Sequence, residues 1–182
     1  MKAIMCYLFL LCCIFSVKAQ VIELDPANLK YSKTSFVQTG LNEFQLKINE
    51  EYAGQFSSNP IAYVKKNFDI QEFIASIESK NFDSFEVNFK STKGFLNAFY
   101  DKKGNLVSTF QQFKDIYVPK EIRENLYSKY KGWSMVKNKY VASGKLDRID
   151  KAEYRIRLER GKEHQNIKIT PKVIMNSGVA SN

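Results

Sequence analysis

Apolar and polar residues alternate with a period of two along much of this chain, and that pattern predicts β-strands. Phe85, Val87 and Phe89 are separated by single polar residues, for example. The loop at 101–105 carries Gly104, which can adopt a positive φ, and it predicts a hairpin turn. Strands are predicted at residues 21–24, 41–48, 85–89, 94–100, 106–113, 133–141, 153–159 and 167–169.

Two helices are predicted, near residues 60–68 and 119–131. Each has a proline in its first turn, Pro60 or Pro119, where the missing N–H costs nothing. Apolar residues then recur at helical spacing, and Gly132 ends the second helix.

Local pattern leaves residues 69–78 ambiguous. Asp69 and Glu72 have the spacing of a capping box, and the apolar residues that follow fit one face of a helix. Phe73 and Ile77, however, also belong to an alternating run that is rich in β-branched and aromatic residues, which favours a strand.

The order of these elements predicts the fold class. A helix followed by strands occurs twice, over residues 59–114 and 117–171, and short turns join the strands. We therefore expect an α+β fold: an antiparallel sheet with helices packed on one face, built from two helix-plus-strands halves.

The first nineteen residues have the architecture of a secretory signal peptide: a lysine, an apolar run and a small residue, Ala19, before the cleavage point. All three cysteines lie in this signal, so the mature chain would have no disulfide and no thiol chemistry. We expect the protein to be exported, to the periplasm or out of the cell. No second apolar run predicts a membrane span.

Three short motifs resemble those of the PepSY-like, β-lactamase-inhibitor-protein-like family of small exported bacterial proteins. They are a Tyr-Asp-x-x-Gly turn at 100–104, a Val-Pro helix start at Val118 and a Tyr-x-Gly-Trp helix end at 130–133. The resemblance covers residues 56–171, which would follow an N-terminal segment at 20–55 and precede a flexible tail at 172–182. It implies an extended segment at 69–78, and it carries over no catalytic residue. It also implies a protein that docks a sheet face on another protein.

Basic residues on the last strands are the sharpest candidate for a binding surface. Arg155 and Arg157 alternate with apolar residues, Lys168 does so on the next strand, and Lys137 and Lys139 extend the stripe if their strand is adjacent. The formal net charge is +9, of which two charges lie in the predicted signal. A solvated sheet face explains the same pattern. The functional interpretation is docking of an acidic protein or another acidic surface.

Other chemistry is weakly represented, so we expect a non-catalytic binding module without cofactor or metal. His164 is the only histidine and is predicted in a polar turn. The carboxylate pairs Asp101 with Asp115 and Asp147 with Asp150 lie in loops, where turn chemistry or surface ion pairing explains them. The basic residues are dispersed, which does not favour nucleic acid. The alternative function is a small extracytoplasmic enzyme with an unrecognised site.

Aromatic residues are expected mostly in the core. Trp133 should pack over the end of the second helix. The remaining members of this group are Phe85, Phe89, Phe95, Phe99, Phe110 and Phe113.

Overall fold

The computed structural model describes residues 36–77 and 82–171. The predicted signal at 1–19, the strand at 21–24 and the tail at 172–182 lie outside the described residues.

One eight-stranded sheet, with its strands in chain order, forms the frame of the protein. The α+β class is confirmed, with helices beside a mostly antiparallel sheet. The strands are β1 Phe36–Gln38, β2 Glu43–Lys47, β3 Ser84–Ser91, β4 Gly94–Asp101, β5 Leu106–Lys114, β6 Ser134–Lys145, β7 Lys151–Arg160 and β8 Glu163–Ile169.

A single parallel pair, β2 with β3, departs from the expected antiparallel order. Parallel neighbours need a long crossover connection, usually helical, and the segment between these strands supplies one. It holds a 3-10 turn, Glu50–Tyr52, and the helices α1 Ala53–Ser58, α2 Pro60–Asn67 and α3 Ile70–Ser76. This crossover places three helices over the first half of the sheet.

Helix α3 corrects the expectation of a strand at 69–78. The Asp69 carboxylate accepts hydrogen bonds from the backbone N–H groups of Gln71 at 2.8 Å and Glu72 at 3.1 Å, so it caps the helix. Phe73 is fully buried, and its ring contacts those of Phe36 and Phe44. The cap and this packing outweigh the β-propensity of the run, so the extended conformation implied by the family resemblance was wrong.

Both helices predicted from the sequence are confirmed, the second as α4, Lys120–Lys129. At the start of α2, Asn59 Oδ1 accepts a hydrogen bond from the backbone N–H of Ala62. Pro119 is the N-cap of α4 rather than its first residue, so this helix begins one residue later than predicted.

The helices and the sheet enclose two apolar clusters on the same side of the sheet. The larger one joins α1, α2 and α3 to β2, β3, β4 and β5, and it is rich in phenylalanine. The smaller one joins Leu126 of α4 to Ile156 and Leu158 of β7. The two halves of the chain therefore meet above β5 and β6.

Three of the six phenylalanines expected in the core lie on the other side of the sheet. Phe85, Phe89 and Phe113 are buried, as expected. The alternation along β4 and β5 instead places the remaining three on the face away from the helices, and Phe110 is 36% exposed. Local sequence cannot separate these groups, because both strands carry apolar residues on their two faces. The three are Phe95, Phe99 and Phe110.

Trp133 follows α4 and packs half-buried against the smaller cluster, as expected. The guanidinium of Arg160 lies over its ring, 4.8 Å from the centroid. This geometry is that of a cation–π contact.

Candidate functional site

The sheet face opposite the helices is hereafter called the open face. The core clusters take alternate residues of the strands, including Val87, Leu96, Phe113 and Ile156. Their sequence neighbours therefore point to the other side. The helices of residues 36–77 and 82–171 pack on the core side, so none of them covers the open face.

Four basic residues stand side by side across the last four strands of the open face. Lys114 of β5 pairs in register with Lys139 of β6, which pairs with Arg155 of β7, which pairs with Lys168 of β8. Residues directly opposite in an antiparallel sheet have Cβ atoms about 5 Å apart, and like charges at such positions destabilise the sheet. We call these four residues the cation row.

Arg155, Arg157 and Lys168 lie on the face that their alternation predicted. Strand β6 is the neighbour of β7, which is the condition on which Lys137 and Lys139 were included. Lys137 pairs with Arg157 beside the cation row, and that pair extends the basic surface by one position. Arg155 and Arg157 flank the buried Ile156, so they point to the open face.

Lys114 was missed by sequence reasoning. The sequence pattern did indicate the face on which Lys114 lies, because this residue follows Phe113 in an alternating strand and Phe113 is buried. Only the strand order shows that this residue stands beside Lys139.

Two glutamates of β7 partly neutralise the arginines. The Nε of Arg155 donates a hydrogen bond to Glu153, and the Nε of Arg157 donates one to Glu159 at 2.9 Å. The pKa of the Glu153 carboxyl is lowered, mainly by the hydrogen bond from Arg155 and also by the charges of Arg155 and Lys168. Each hydrogen bond joins residues two positions apart on β7, so both ion pairs lie along this strand.

The lysines of this surface have no such partner. Lys114, Lys137, Lys139 and Lys168 form no ion pair with any residue that the structure describes. Glu153 is near enough to Lys168 to interact with its charge, but no ion pair within the described chain neutralises any of the four lysines.

An aromatic patch, formed by Phe95, Phe99 and Phe110, borders the cation row on β4 and β5. The rings of Phe95 and Phe110 lie 5.9 Å apart. Gln112 pairs with Phe95 and stands two residues before Lys114 on the same strand. The patch and the cation row thus form one continuous part of the open face.

A chain of polar side chains lies beyond the aromatic patch. Asn88 donates a hydrogen bond to Asn97, whose Nδ2 donates one to Glu86 Oε1 at 2.8 Å. Burial raises the pKa of the Glu86 carboxyl, and the nearby charge of Glu43 adds to the effect. Ionisation of Glu86 at this position therefore costs folding free energy.

His164 lies in strand β8 rather than in a turn, which corrects its expected position. It is exposed and pairs in register with Glu159. The turn was predicted at residues 160–163 and is shorter, at residues 161–162, because β8 begins at Glu163 rather than near Ile167.

The carboxylate pairs considered in the sequence serve local structure. The Oδ1 of Asp101 accepts hydrogen bonds from the N–H groups of Lys103 and Asn105, and Gly104 has a φ of 81° in the same turn. Asp115 lies at the other end of β5, so the fold does not bring it near Asp101.

The second pair lies in the loop between β6 and β7. Asp147 forms an ion pair of 2.9 Å with Lys65 of α2. No hydrogen bond or ion pair involves the Asp150 carboxylate within the described ranges. The two carboxylates therefore do not form a joint site.

None of the helices in the described residues is long and apolar enough to cross a membrane. Comparison with known proteins assigns no relative: no family model matches the chain, and no curated protein or solved structure matches it significantly. The resemblance to PepSY-like proteins thus stays a prediction from the sequence.

Proposed function

We propose that this chain is an exported, non-catalytic binding module that docks an acidic protein on its open face. The observation that carries the proposal is the cation row, in which Lys114, Lys139, Arg155 and Lys168 occupy one line across four strands. Export follows from the predicted signal at residues 1–19.

The row is unfavourable for the isolated protein. Like charges directly opposite in a sheet repel each other, and only the arginines have glutamate partners on their own strand. An acidic partner would remove this repulsion on binding. It would also be attracted over a distance of about 10 Å at 0.1 M salt.

The aromatic patch favours a protein as the partner. Protein interfaces combine aromatic residues and arginine at their centres with a polar rim, and the open face has both within neighbouring strands. Glu153 and Glu159 interrupt the positive charge, and such a mixed pattern suits another protein better than a uniformly anionic bilayer. The family resemblance also implies docking through a sheet face.

The alternative, a small extracytoplasmic enzyme, would need titratable groups that converge in a pocket. The cation row instead occupies an open surface. Arg155 of the row and its neighbour Arg157 form ion pairs with glutamates, and arginine supports recognition more than proton transfer, since it stays charged.

Binding can be tested with variants that keep the fold. Cross-linking of the purified protein in an extracytoplasmic fraction, followed by mass spectrometry, identifies a partner that is then purified and titrated. The double variant Lys139→Gln, Lys168→Gln should bind it roughly tenfold more weakly, with a melting temperature that is equal or slightly higher, because the repulsion within the cation row is reduced.

The matched control replaces two lysines that lie in turns away from the open face, Lys102→Gln with Lys131→Gln. This control changes the net charge by the same amount, so it separates the cation row from total charge. Equal weakening in both double variants would contradict docking at the cation row.

A further inference from the structure

A cleft of about 770 Å³ opens on the helix side of the sheet, where the two halves of the chain meet. Its floor is formed by Gln111, Tyr140 and Tyr154, one residue from each of β5, β6 and β7. Its walls are largely apolar and include Ile61, Ile116 and Ile149. Small-molecule sites in proteins have this size and this mixture of apolar walls with a few polar groups.

Gln111 is the least expected residue of the floor. It is only 3% exposed, and its Oε1 has no hydrogen-bond partner among the residues that the structure describes. Buried polar atoms are nearly always hydrogen-bonded, since an unmade bond costs stability. The Oε1 of Gln111 can therefore accept a hydrogen bond from an N–H or O–H group of a molecule bound in the cleft.

Two tyrosines of the same floor supply the opposite kind of group. Gln111 pairs with Ala142. Tyr140 lies two positions from Ala142 on the same strand and pairs with Tyr154. The rings of Tyr140 and Tyr154 pack 4.8 Å apart, and neither hydroxyl hydrogen-bonds to a described residue. Burial raises the pKa of Tyr154 to about 12, so its hydroxyl stays neutral at physiological pH. Both hydroxyls can therefore donate to an oxygen atom of a ligand.

The rim of the cleft is positively charged. Lys93 lines it and forms no ion pair with a described residue. Lys65 also lines it, in an ion pair with Asp147 that bridges α2 and the β6–β7 loop. The first turn of α2, whose backbone N–H groups favour negative charge, completes this side.

We propose that this cleft binds a small molecule that carries a secondary amide, a free carboxylate and an apolar body. The amide N–H donates to Gln111, the amide carbonyl accepts from Tyr140 or Tyr154, and the carboxylate lies near Lys93. Short peptides and N-acyl amino acids share this chemistry. The site is on the opposite side of the sheet from the cation row, so this proposal and the docking proposal can fail independently.

The test uses four probes and the purified full chain. Trileucine represents peptides and N-acetyl-leucine represents acyl amino acids. Trileucine amide lacks the carboxylate, and 4-methylpentanoate lacks the amide. Isothermal titration and ligand-observed NMR should detect binding of trileucine, of N-acetyl-leucine or of both. Trileucine amide should bind at least fivefold more weakly than trileucine, and 4-methylpentanoate at least fivefold more weakly than N-acetyl-leucine, wherever the parent probe binds.

Gln111→Leu removes the acceptor and keeps the size of the side chain, so the bound probe should lose at least tenfold in affinity. The matched control is Thr109→Val, because Thr109 is equally buried on the same strand, also has an unpartnered oxygen and does not line the cleft. Tyr154→Phe is an independent second variant, which should weaken binding several-fold even if Gln111→Leu fails to fold.

The proposal is overturned if neither trileucine nor N-acetyl-leucine binds the parent protein. It is also overturned if the folded Gln111→Leu variant or the Tyr154→Phe variant binds the probe as tightly as Thr109→Val does. Binding of only one of the two probes supports the proposal and identifies the source of the ligand.

Discussion

Lys65 and Asp147 join helix α2 to the β6–β7 loop through an ion pair of 2.9 Å between the ammonium nitrogen and the carboxylate. The two residues are 82 positions apart in the chain and belong to different halves. Both residues line the cleft, so the ion pair connects the β6–β7 loop to α2 at this site.

Removal of this ion pair should affect stability only slightly. The pKa of Asp147 is lowered, chiefly by the hydrogen bond from Lys65, so its contribution is present above the ordinary pKa of aspartate and is lost as the pH falls through the lowered value. Asp147→Asn should therefore lower the free energy of unfolding at pH 7 by less than about 1 kcal/mol, since both side chains are half exposed.

Urea denaturation at pH 7 and at pH 2.5 measures this effect, and the difference from the parent protein should shrink at the lower pH. Asp150→Asn in the same loop is the control, because its carboxylate has no ion pair in the described chain. Equal losses in both variants would show that the ion pair contributes nothing.

The cap of α3 should be measurable on its own. Asp69→Ala removes the acceptor for the N–H groups of Gln71 and Glu72, and it should lower the free energy of unfolding by about 1 kcal/mol. Asp69→Ser restores an acceptor and should recover most of that loss. Chemical denaturation of the three proteins gives the comparison, and an unchanged Asp69→Ala protein would contradict a helix at this position.

Glu86 should destabilise the protein when it is ionised. Its pKa is raised by burial, so the stabilising contribution of the protonated form is present at low pH and is lost as the pH rises through the raised pKa. Glu86→Gln keeps an oxygen that accepts the hydrogen bond from Asn97, and it does not ionise, so it does not lose stability as the pH rises.

The Glu86→Gln protein should therefore melt at a higher temperature than the parent at pH 7, and at the same temperature near pH 3. Thermal melts across this range provide the test. A Glu86→Gln protein that is less stable at pH 7 would mean that the carboxylate charge itself is stabilising.

The arginines of β7 should matter for binding more than for folding. Arg155→Gln with Arg157→Gln should weaken binding to an acidic partner at low salt and leave the melting temperature nearly unchanged, because exposed ion pairs contribute little. Binding measured from 0.1 M to 1 M salt should converge for parent and variant, as the Debye length falls from about 10 Å to about 3 Å. If the double variant is unfolded, these arginines are required for folding. If it binds the partner at low salt as tightly as the parent does, the arginines are solvated and take no part in binding.

Most elements of the fold could be predicted from the sequence because each one carried its own local signal. Pro60 and Pro119 indicated the helix starts, and alternation around Phe85 and Ile156 indicated strands and their faces. Residues 69–78 failed because their helical and extended patterns coincide, and only the contacts of Phe73 with distant rings decide between them.

The candidate sites were less predictable because they depend on strand neighbours. The alternation placed Arg155 and Lys168 on one face, but the position of Lys114 beside Lys139 follows from strand order alone. Gln111 gave no signal at all, since a glutamine within a strand looks like an ordinary solvated residue until its surroundings are known.

The parallel pairing of β2 with β3 has a consequence for the order in which the molecule assembles. Strands β3 to β8 pair only with their chain neighbours, so they can form from successive hairpins, with α4 in one connection. Strand β2 must instead close a long loop before it finds β3, and such closure is slower. We therefore expect pulse-labelling by hydrogen exchange to protect amides of β4 and β5 before those of β2, so that the N-terminal layer closes last over a preformed meander.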